Sequence, residues 1–311
     1  MEHWTERDIP DQTGRTALVT GATGGLGLRV ATVLASKGAR VLLASRNAQR
    51  GADALEKVKK VATDATPEVV EFDLADLATV RDAIPEIRER TGDHLDLLIN
   101  NAGVMAPPLG FSPDGFERQW ATNVFGPAAL TWSLLPAISH VPGARVLFVS
   151  SVAHFGGRFT PDQLDGFAHG DHYSAWGYYG RTKLADLLLS RELQRHFLRT
   201  NAEAISVAAH PGVAATNLAS STVEGKPDWV KKVANSTMGL LGQDVTAGAL
   251  PLLMGATAPG IHGSQYFGPA WVFETRGPPT RAARSPLSRS DELGAALLEF
   301  VEQQTLVPAP R

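Results

Sequence analysis

Six short runs of β-branched and aliphatic residues alternate with longer segments of helical period, and no other feature of the sequence restricts the possible folds so strongly. The runs fall at 16–20, 40–44, 69–72, 95–99, 145–149 and 203–208, and the helical segments at 26–37, 49–62, 77–90, 115–139 and 178–198. Strands separated by a whole helix cannot close as hairpins, so they pair in parallel through crossovers. The stretch Leu97-Leu98-Ile99 is apolar without a break, as a strand covered on both faces requires. The expected architecture is α/β: a doubly wound parallel sheet with helices on both faces. No stretch reads as a linker, so 1–311 is expected to form a single domain, with 1–14 as an N-terminal extension, 213–240 as a substrate lid and 276–290 as a surface loop. Arg276, Arg281, Arg284 and Arg289 charge that last segment with no acid among them. A solvated loop is the expectation there, and a subunit or partner contact the alternative.

The 311 residues carry 29 basic and 32 acidic side chains, a formal net charge of −3 that lacks the basic excess of a nucleic-acid binder. With 43% hydrophobic and 20% charged residues, the composition supports a substantial core in a soluble protein. There is no cysteine, which excludes disulfides, thiolate nucleophiles and thiolate metal sites. Chemistry must therefore rest on oxygen and nitrogen groups or on a cofactor. His154, His169 and His172 are irregularly spaced and lack an acidic cluster, so no metal site is expected. The start, MEHWTERDIPDQTGR, has no apolar signal core, and the longest apolar stretch, 128–138, is broken by Ser133 and Pro136. That is short of the roughly 20 residues of a membrane span, so a cytoplasmic protein without a membrane anchor is expected.

Thr20-Gly21-Ala22-Thr23-Gly24-Gly25-Leu26-Gly27 follows the first run and opens into the first helix. Glycines at such a turn permit positive φ and bring backbone N–H groups, at a helix N-terminus, close to a phosphate. The spacing Gly-x-x-x-Gly-x-Gly differs from the Gly-x-Gly-x-x-Gly of many dinucleotide sites. The second run ends in Ser45-Arg46, with no acid before Asp53. An acid there would accept from the ribose 2′-hydroxyl of NAD, whereas an arginine accommodates a 2′-phosphate. NADP(H) is therefore expected in preference to NAD(H).

Tyr179 and Lys183 lie four residues apart at the start of the last long helix and share one of its faces. A neighbouring ammonium favours tyrosinate and lowers the phenol pKa from about 10 toward neutrality. Tyr179 could then give a proton to a carbonyl oxygen or take one from an alcohol. Tyr178 has no such partner, because position 182 is Thr.

In order along the chain, these motifs resemble the short-chain dehydrogenase/reductase family over about the first 220 residues. The resemblance rests on the glycine turn, Asp73-Leu74, Asn100-Asn101-Ala102-Gly103, Asn123, Ser150-Ser151, the Tyr179/Lys183 pair and His210-Pro211-Gly212-Val213-Ala214-Ala215-Thr216. It implies a Rossmann fold in which Gly21, Thr23, Gly25, Leu26 and Gly27 hold the cofactor phosphates, Ser45 and Arg46 the 2′-phosphate, and Asp73 and Leu74 the adenine. Asn100, Ala102 and Gly103, with Pro211, Gly212, Ala214 and Thr216 toward the nicotinamide, complete the implied cofactor site. By the same resemblance, Tyr179 is the general acid or base, and Lys183 lowers its pKa and bonds the nicotinamide ribose. Ser151 polarises the substrate oxygen, and Asn123 holds a water that links Lys183 to solvent.

The 27 residues between Ser151 and Tyr179, 152–178, exceed what the simplest members carry. With Ser150-Ser151-Val152-Ala153-His154, Thr182-Lys183-Leu184-Ala185-Asp186 and Arg191-Glu192-Leu193, this insert is similar to the retinol-dehydrogenase-like and WW-domain-oxidoreductase-like branch. Thr182 stands where that branch usually has Ser, and Asp186 where it usually has Asn. The substrate wall is expected from Met105, Ala106, Val152, His154, Trp176 and Leu218, an apolar lining suited to a hydrophobic aldehyde, ketone or alcohol. The implied function is hydride transfer between NADP(H) and such a substrate. The alternatives are a 3-oxoacyl- or polyketide-type ketoreductase and, in another class, a non-catalytic NADP-binding sensor or scaffold. The family further implies a homodimer or homotetramer.

Overall fold

Strands that are apolar on both faces need a helical layer above and below, and the chain supplies both. The computed structural model describes residues 4–213 and 243–310. Its elements run β1 (Thr16–Val19), α1 (Gly25–Ser36), β2 (Arg40–Ser45), α2 (Ala48–Lys59), β3 (Glu68–Glu71), α3 (Leu77–Thr91), β4 (Leu97–Asn100), α4 (Arg118–Trp120), α5 (Gly126–Ser133), α6 (Leu135–Ile138) and β5 (Arg145–Val149). They continue with α7 (Leu164–Ala168), α8 (Ala175–Arg199), β6 (Ile205–Ala209), α9 (Val245–Thr257), β7 (Tyr266–Trp271), β8 (Arg276–Arg281) and α10 (Asp291–Thr305). One sheet of order β3-β2-β1-β4-β5-β6-β7-β8 contains all the named strands, and every pairing is parallel except that of β7 with β8.

Alternation along each strand assigns the layers. Leu97 and Ile99 of β4 join Val19, Leu43, Leu147 and Val207 in a core beneath α1 and α9, with Leu34 and Leu252 from those helices. Leu98 joins Leu18, Leu42, Val146 and Phe148 in a second core on the opposite face, filled by Ile87 of α3, Leu130 of α5, Leu188 of α8 and Leu297 of α10. The strand order reverses between β1 and β4, so the chain leaves these neighbours toward opposite faces and opens a crevice at their C-terminal ends.

Local chemistry sets the helix ends. Asp76 caps α3 by accepting from the N–H groups of Ala78 and Thr79, and Gly92 ends it in the left-handed region at φ 61°. The expected helix at 115–139 is divided: α4 passes through a π-helical segment, Ala121–Phe125, into α5, and α6 restarts after Leu134 with Pro136 in its first turn. The insert between Ser151 and Tyr179 folds back onto this region, where Phe159 and Phe167 pack against Trp120.

The expected surface loop at 276–290 is corrected by the structure. Residues 276–281 form the antiparallel edge strand β8, which Pro278 and Pro279 concealed in the sequence; proline is tolerated in an edge strand because an edge does not need every N–H. Arg284 is no solvated cation. Its guanidinium donates to the carbonyl oxygens of Ser264 (2.8 Å) and Leu187 (3.0 Å), and burial lowers its pKa to about 10.

Glu117 caps α4 by accepting from the N–H groups of Gln119 and Trp120 at 2.9 and 3.0 Å, while its Oε1 is buried without a hydrogen-bond partner. Burial pushes this carboxyl up to about 7 from 4.5, against the two N–H groups that favour its anion. The fold thus binds the proton more tightly than the unfolded chain, so the contribution is full below pH 4.5 and is lost as pH rises through 7. Chemical denaturation at pH 4.5 and pH 8 should show wild type losing about 3 kcal/mol of this contribution, and Glu117→Gln losing little of it.

Candidate active site

The crevice at the switch point is a groove of about 310 Å³, within the usual range of small-molecule clefts, ~300–1,000 Å³. Its floor is the turn from β1 into α1. Gly21 adopts φ +65°, and a Cβ there would lie 2.9 Å from Ala102 Cα. A Cβ at Gly27 would lie 2.3 Å from the Gly21 carbonyl oxygen and 2.4 Å from Asn101 Nδ2. The backbone therefore forms a cradle that side chains would fill. Gly24 at the head of α1 offers no side-chain cap, so the first N–H groups of that helix are available to an anion.

Thr23, Gly25, Leu26, Ser45, Arg46, Asp73, Leu74, Ala102 and Gly103 all line this groove. Arg46 is more than half exposed and forms a loose ion pair with Asp73 at 3.7 Å. Arg50, which the sequence analysis did not single out, lines the same groove. Asn100 does not. Its Nδ2 donates to Thr131 Oγ1 in the buried interior, and the neighbouring Asn101 faces the groove instead. Consecutive residues along an extended chain point to opposite sides, so a one-residue difference moves the groove-lining position from one asparagine to the other.

Beyond Gly103 of the groove, β5 and α8 bring Ser150, Ser151, Tyr179 and Lys183 into one region. Tyr179 is buried, and Lys183 Nζ lies 5.7 Å from the centre of its ring. That ammonium donates to the Val149 carbonyl oxygen at 2.9 Å and to Asp186 Oδ2 at 2.8 Å. The two adjacent serines divide their work. Ser150 is buried and donates to the Lys183 carbonyl oxygen at 2.7 Å, fixing α8 to the end of β5. Ser151 caps the following 3-10 turn by accepting from Ala153 N–H, which leaves its own hydroxyl hydrogen to donate.

Asn123 sits within the π-helical segment, an irregularity common at functional sites. Its Oδ1 accepts from Val104 N–H at 2.8 Å, and its Nδ2 donates to the Val104 carbonyl oxygen and to Thr182 Oγ1, both at 3.0 Å. The side-chain amide thus joins the strip after β4 to α8. Thr182 passes the connection on by donating to the Tyr179 carbonyl oxygen at 2.9 Å.

On the substrate side, Trp176 is 56% exposed and stands edge-on to Tyr179, with ring centres 6.0 Å apart. Met105 and Val152 are half-buried, whereas Ala106 is buried and its N–H donates to Gln119 Oε1. His154, expected in the substrate wall, is wholly buried. It bridges the Ser151 carbonyl oxygen (2.6 Å) and Ser285 N–H (3.2 Å), and burial lowers its pKa to about 4. It is a neutral strut between the catalytic turn and the chain after β8. Gly212 has φ +67°, and a Cβ there would lie 2.3 Å from the Thr275 carbonyl oxygen, while Gln243 holds the Pro211 carbonyl oxygen at 2.7 Å. Ala214, Thr216 and Leu218 lie outside the described residues.

The sequence matches the family model described as short chain dehydrogenase over residues 15–162. It is 36% identical over 261 residues to the polyprenol dehydrogenase of Mus musculus, covering 82% of this chain and 75% of that protein. The chain belongs to the short-chain dehydrogenase family. Similarity extends to retinol dehydrogenase 12 of Mus musculus, 36% identical over 200 residues, 64% of this chain and 61% of that protein. Among solved structures, an uncharacterized protein from Mycobacterium paratuberculosis aligns with a TM-score of 0.78 at 33% identity, covering 99% of this chain and 100% of that one. As a member of the family the protein is an NAD(P)-dependent oxidoreductase acting on a small molecule. No helix among the described residues is long and apolar enough to cross a membrane.

The family's dinucleotide fits the cradle because the closest approaches are backbone to backbone. Gly27→Ala should push α1 off the Gly21 carbonyl and raise the dinucleotide Kd about tenfold or more, ~1.4 kcal/mol. Fluorescence titration of the reduced cofactor measures this, and unchanged affinity would contradict the cradle.

Proposed function

We propose that this enzyme transfers hydride between NADP(H) and a hydrophobic carbonyl or alcohol, with Tyr179 as the proton donor or acceptor. The observation that carries the reading is the Tyr179 ring beside the Lys183 ammonium, which lies against Gly103 of the groove: a Cβ there would stand 3.7 Å from Nζ. When bound, the nicotinamide supplies or accepts the hydride. The protein manages the proton. In reduction Tyr179 Oη gives its proton to the substrate oxygen; in oxidation it removes the hydroxyl proton. Lys183 favours the phenolate that results or is required. Ser151, with its hydroxyl hydrogen uncommitted, donates to the substrate oxygen and holds it toward the phenol. Two of the three Lys183 N–H groups are engaged, which leaves one for a ribose hydroxyl.

Preference for NADP(H) is supported by Arg46 and Arg50 on one wall of the groove, with no acid in the position that would accept from a 2′-hydroxyl. A hydrophobic substrate is supported by the exposed ring of Trp176 beside Tyr179 and by relatives named for polyprenol and retinol. The intact Tyr179/Lys183 pair favours an enzyme over a sensor. A narrower assignment to 3-oxoacyl or polyketide ketones has no specific observation in its favour.

Tyr179→Phe should lower kcat by roughly 10²–10⁴-fold for aldehyde or ketone reduction while the NADPH Kd, read by fluorescence, stays at the wild-type value. Turnover retained in that variant would exclude the assignment. Arg46→Ala should weaken NADPH about tenfold and NADH hardly at all, in line with a lost charged hydrogen bond of ~1.5 kcal/mol. Equal binding of the two cofactors by wild type would rule out the NADP(H) preference.

A further inference from the structure

Lys183 is not alone with its phenol. One turn further along α8, Asp186 is 3% exposed and places Oδ2 2.8 Å from the ammonium. The branch of the family that this chain resembles usually has an asparagine there, which would bring an acceptor but no charge. A carboxylate changes the electrostatics of the pair: a phenol ionises more readily beside a lone ammonium than beside an ammonium already neutralised by an anion.

We propose that Asp186 is a positioning residue that sets the charge felt by Tyr179, holding Lys183 Nζ in place and, when ionised, offsetting its positive charge. The proposal rests on the reading of Tyr179 as the proton-transfer group. Its geometry is a continuous chain: Asp186 to Lys183 Nζ, Nζ to the Val149 carbonyl at the end of β5, and Nζ facing the Tyr179 ring at 5.7 Å. Among the described residues, the titratable groups facing the carboxyl are Lys183 on its own helix and Tyr266 from β7. The Tyr266 hydroxyl is buried beside Ser150, and burial holds its pKa well above the usual value. Glu274 and Arg284 in turn face Tyr266.

The direction of control follows. Burial pushes the Asp186 carboxyl up to about 6 in spite of the ammonium beside it. Burial also opposes the charge on Lys183, yet Asp186 and Tyr179 outweigh it and raise the pKa of the ammonium. Above the Asp186 titration the pair is a neutral ammonium–carboxylate couple; below it, the pair carries one positive charge. A permanently neutral side chain at 186 fixes the second state and should make Tyr179 the stronger acid above the Asp186 titration.

The composition makes this measurable. The chain has four tyrosines, and burial holds Tyr173 and Tyr178 up at about 12 and Tyr266 well above its usual value. Tyrosinate absorbance, with Tyr179→Phe as the blank, therefore isolates the Tyr179 titration in the cofactor-free protein. Asp186→Asn, which keeps an acceptor for the ammonium, should move that midpoint to lower pH by about one unit. The Tyr179-dependent limb of kcat/KM for alcohol oxidation should move with it, and Asp186→Glu, which keeps the charge, should hold the wild-type midpoint. If Asp186→Asn does not fold, Asp186→Ser provides the neutral position. A midpoint unmoved in a folded neutral variant, with Tyr179→Phe inactive, overturns the role of Asp186 alone. Full turnover by Tyr179→Phe overturns the reading of Tyr179 on which it rests.

Discussion

Asn101 reaches across the switch point to donate its side-chain amide to the Thr20 carbonyl oxygen at 2.8 Å, while the N–H groups of Asn101 and Ala102 both donate to Thr20 Oγ1 at 3.0 Å. These bonds tie the ends of β1 and β4 together where the chain departs to opposite faces. They also bring Asn101 so close to Gly21 and Gly27 that neither position has room for a Cβ. The phosphate cradle is a consequence of this contact. A groove whose floor is backbone has its N–H groups aimed before any ligand arrives, and preorganised dipoles are the ones that act most strongly.

The same loop conveys that rigidity to the catalytic end. A Cβ on Gly103 would stand 3.1 Å from Asn123 Oδ1 and 3.7 Å from Lys183 Nζ, so the strip after β4 touches both the amide and the ammonium. Asn123 bonds Val104 on one side and Thr182 on the other, and Thr182 bonds the Tyr179 carbonyl. Ser150 fastens the Lys183 carbonyl from β5. The backbone around Tyr179 is thereby held from two strands and from the π-helical segment, and the turn of α8 that carries phenol and ammonium cannot shift without breaking several buried hydrogen bonds. Each such loss leaves an unsatisfied buried group, at about 1–3 kcal/mol.

How much of this could be read from the sequence depended on whether pattern or register carried the information. Six strands, their order with the crossover helices, and the Tyr179/Lys183 face are written in periodicity, because burial on both faces and a four-residue spacing leave a direct trace. The edge strand β8 leaves none, since Pro278 and Pro279 look like loop and its pairing is antiparallel. Arg284 reads as solvent because a lone cation in a charged stretch normally is; only the fold shows two carbonyl oxygens waiting for it. Asn100 and Asn101 are indistinguishable until β4 has a register, and Ser150 and Ser151 until β5 does. His154 follows Ser151 closely in sequence but turns inward, and only its contacts with Ser151 and Ser285 reveal a strut. The role of Arg50 required knowing that the start of α2 borders the groove.

The buried Lys183–Asp186 pair shows why stability alone does not account for this site. Removing two charges from water costs several kcal/mol per ion, and their mutual attraction in the interior seldom does more than offset it. A neutral pair of similar shape would fold as well or better. What the ion pair adds is position and charge control: an ammonium with two fixed acceptors has a defined location relative to the phenol, and its net charge depends on a carboxyl that burial has moved toward neutral pH. In a chain without cysteine, whose proposed proton chemistry runs through one phenol, the electrostatics around that phenol are the main means by which the protein can tune its reaction. The energetic cost of the pair is intelligible as the cost of that tuning.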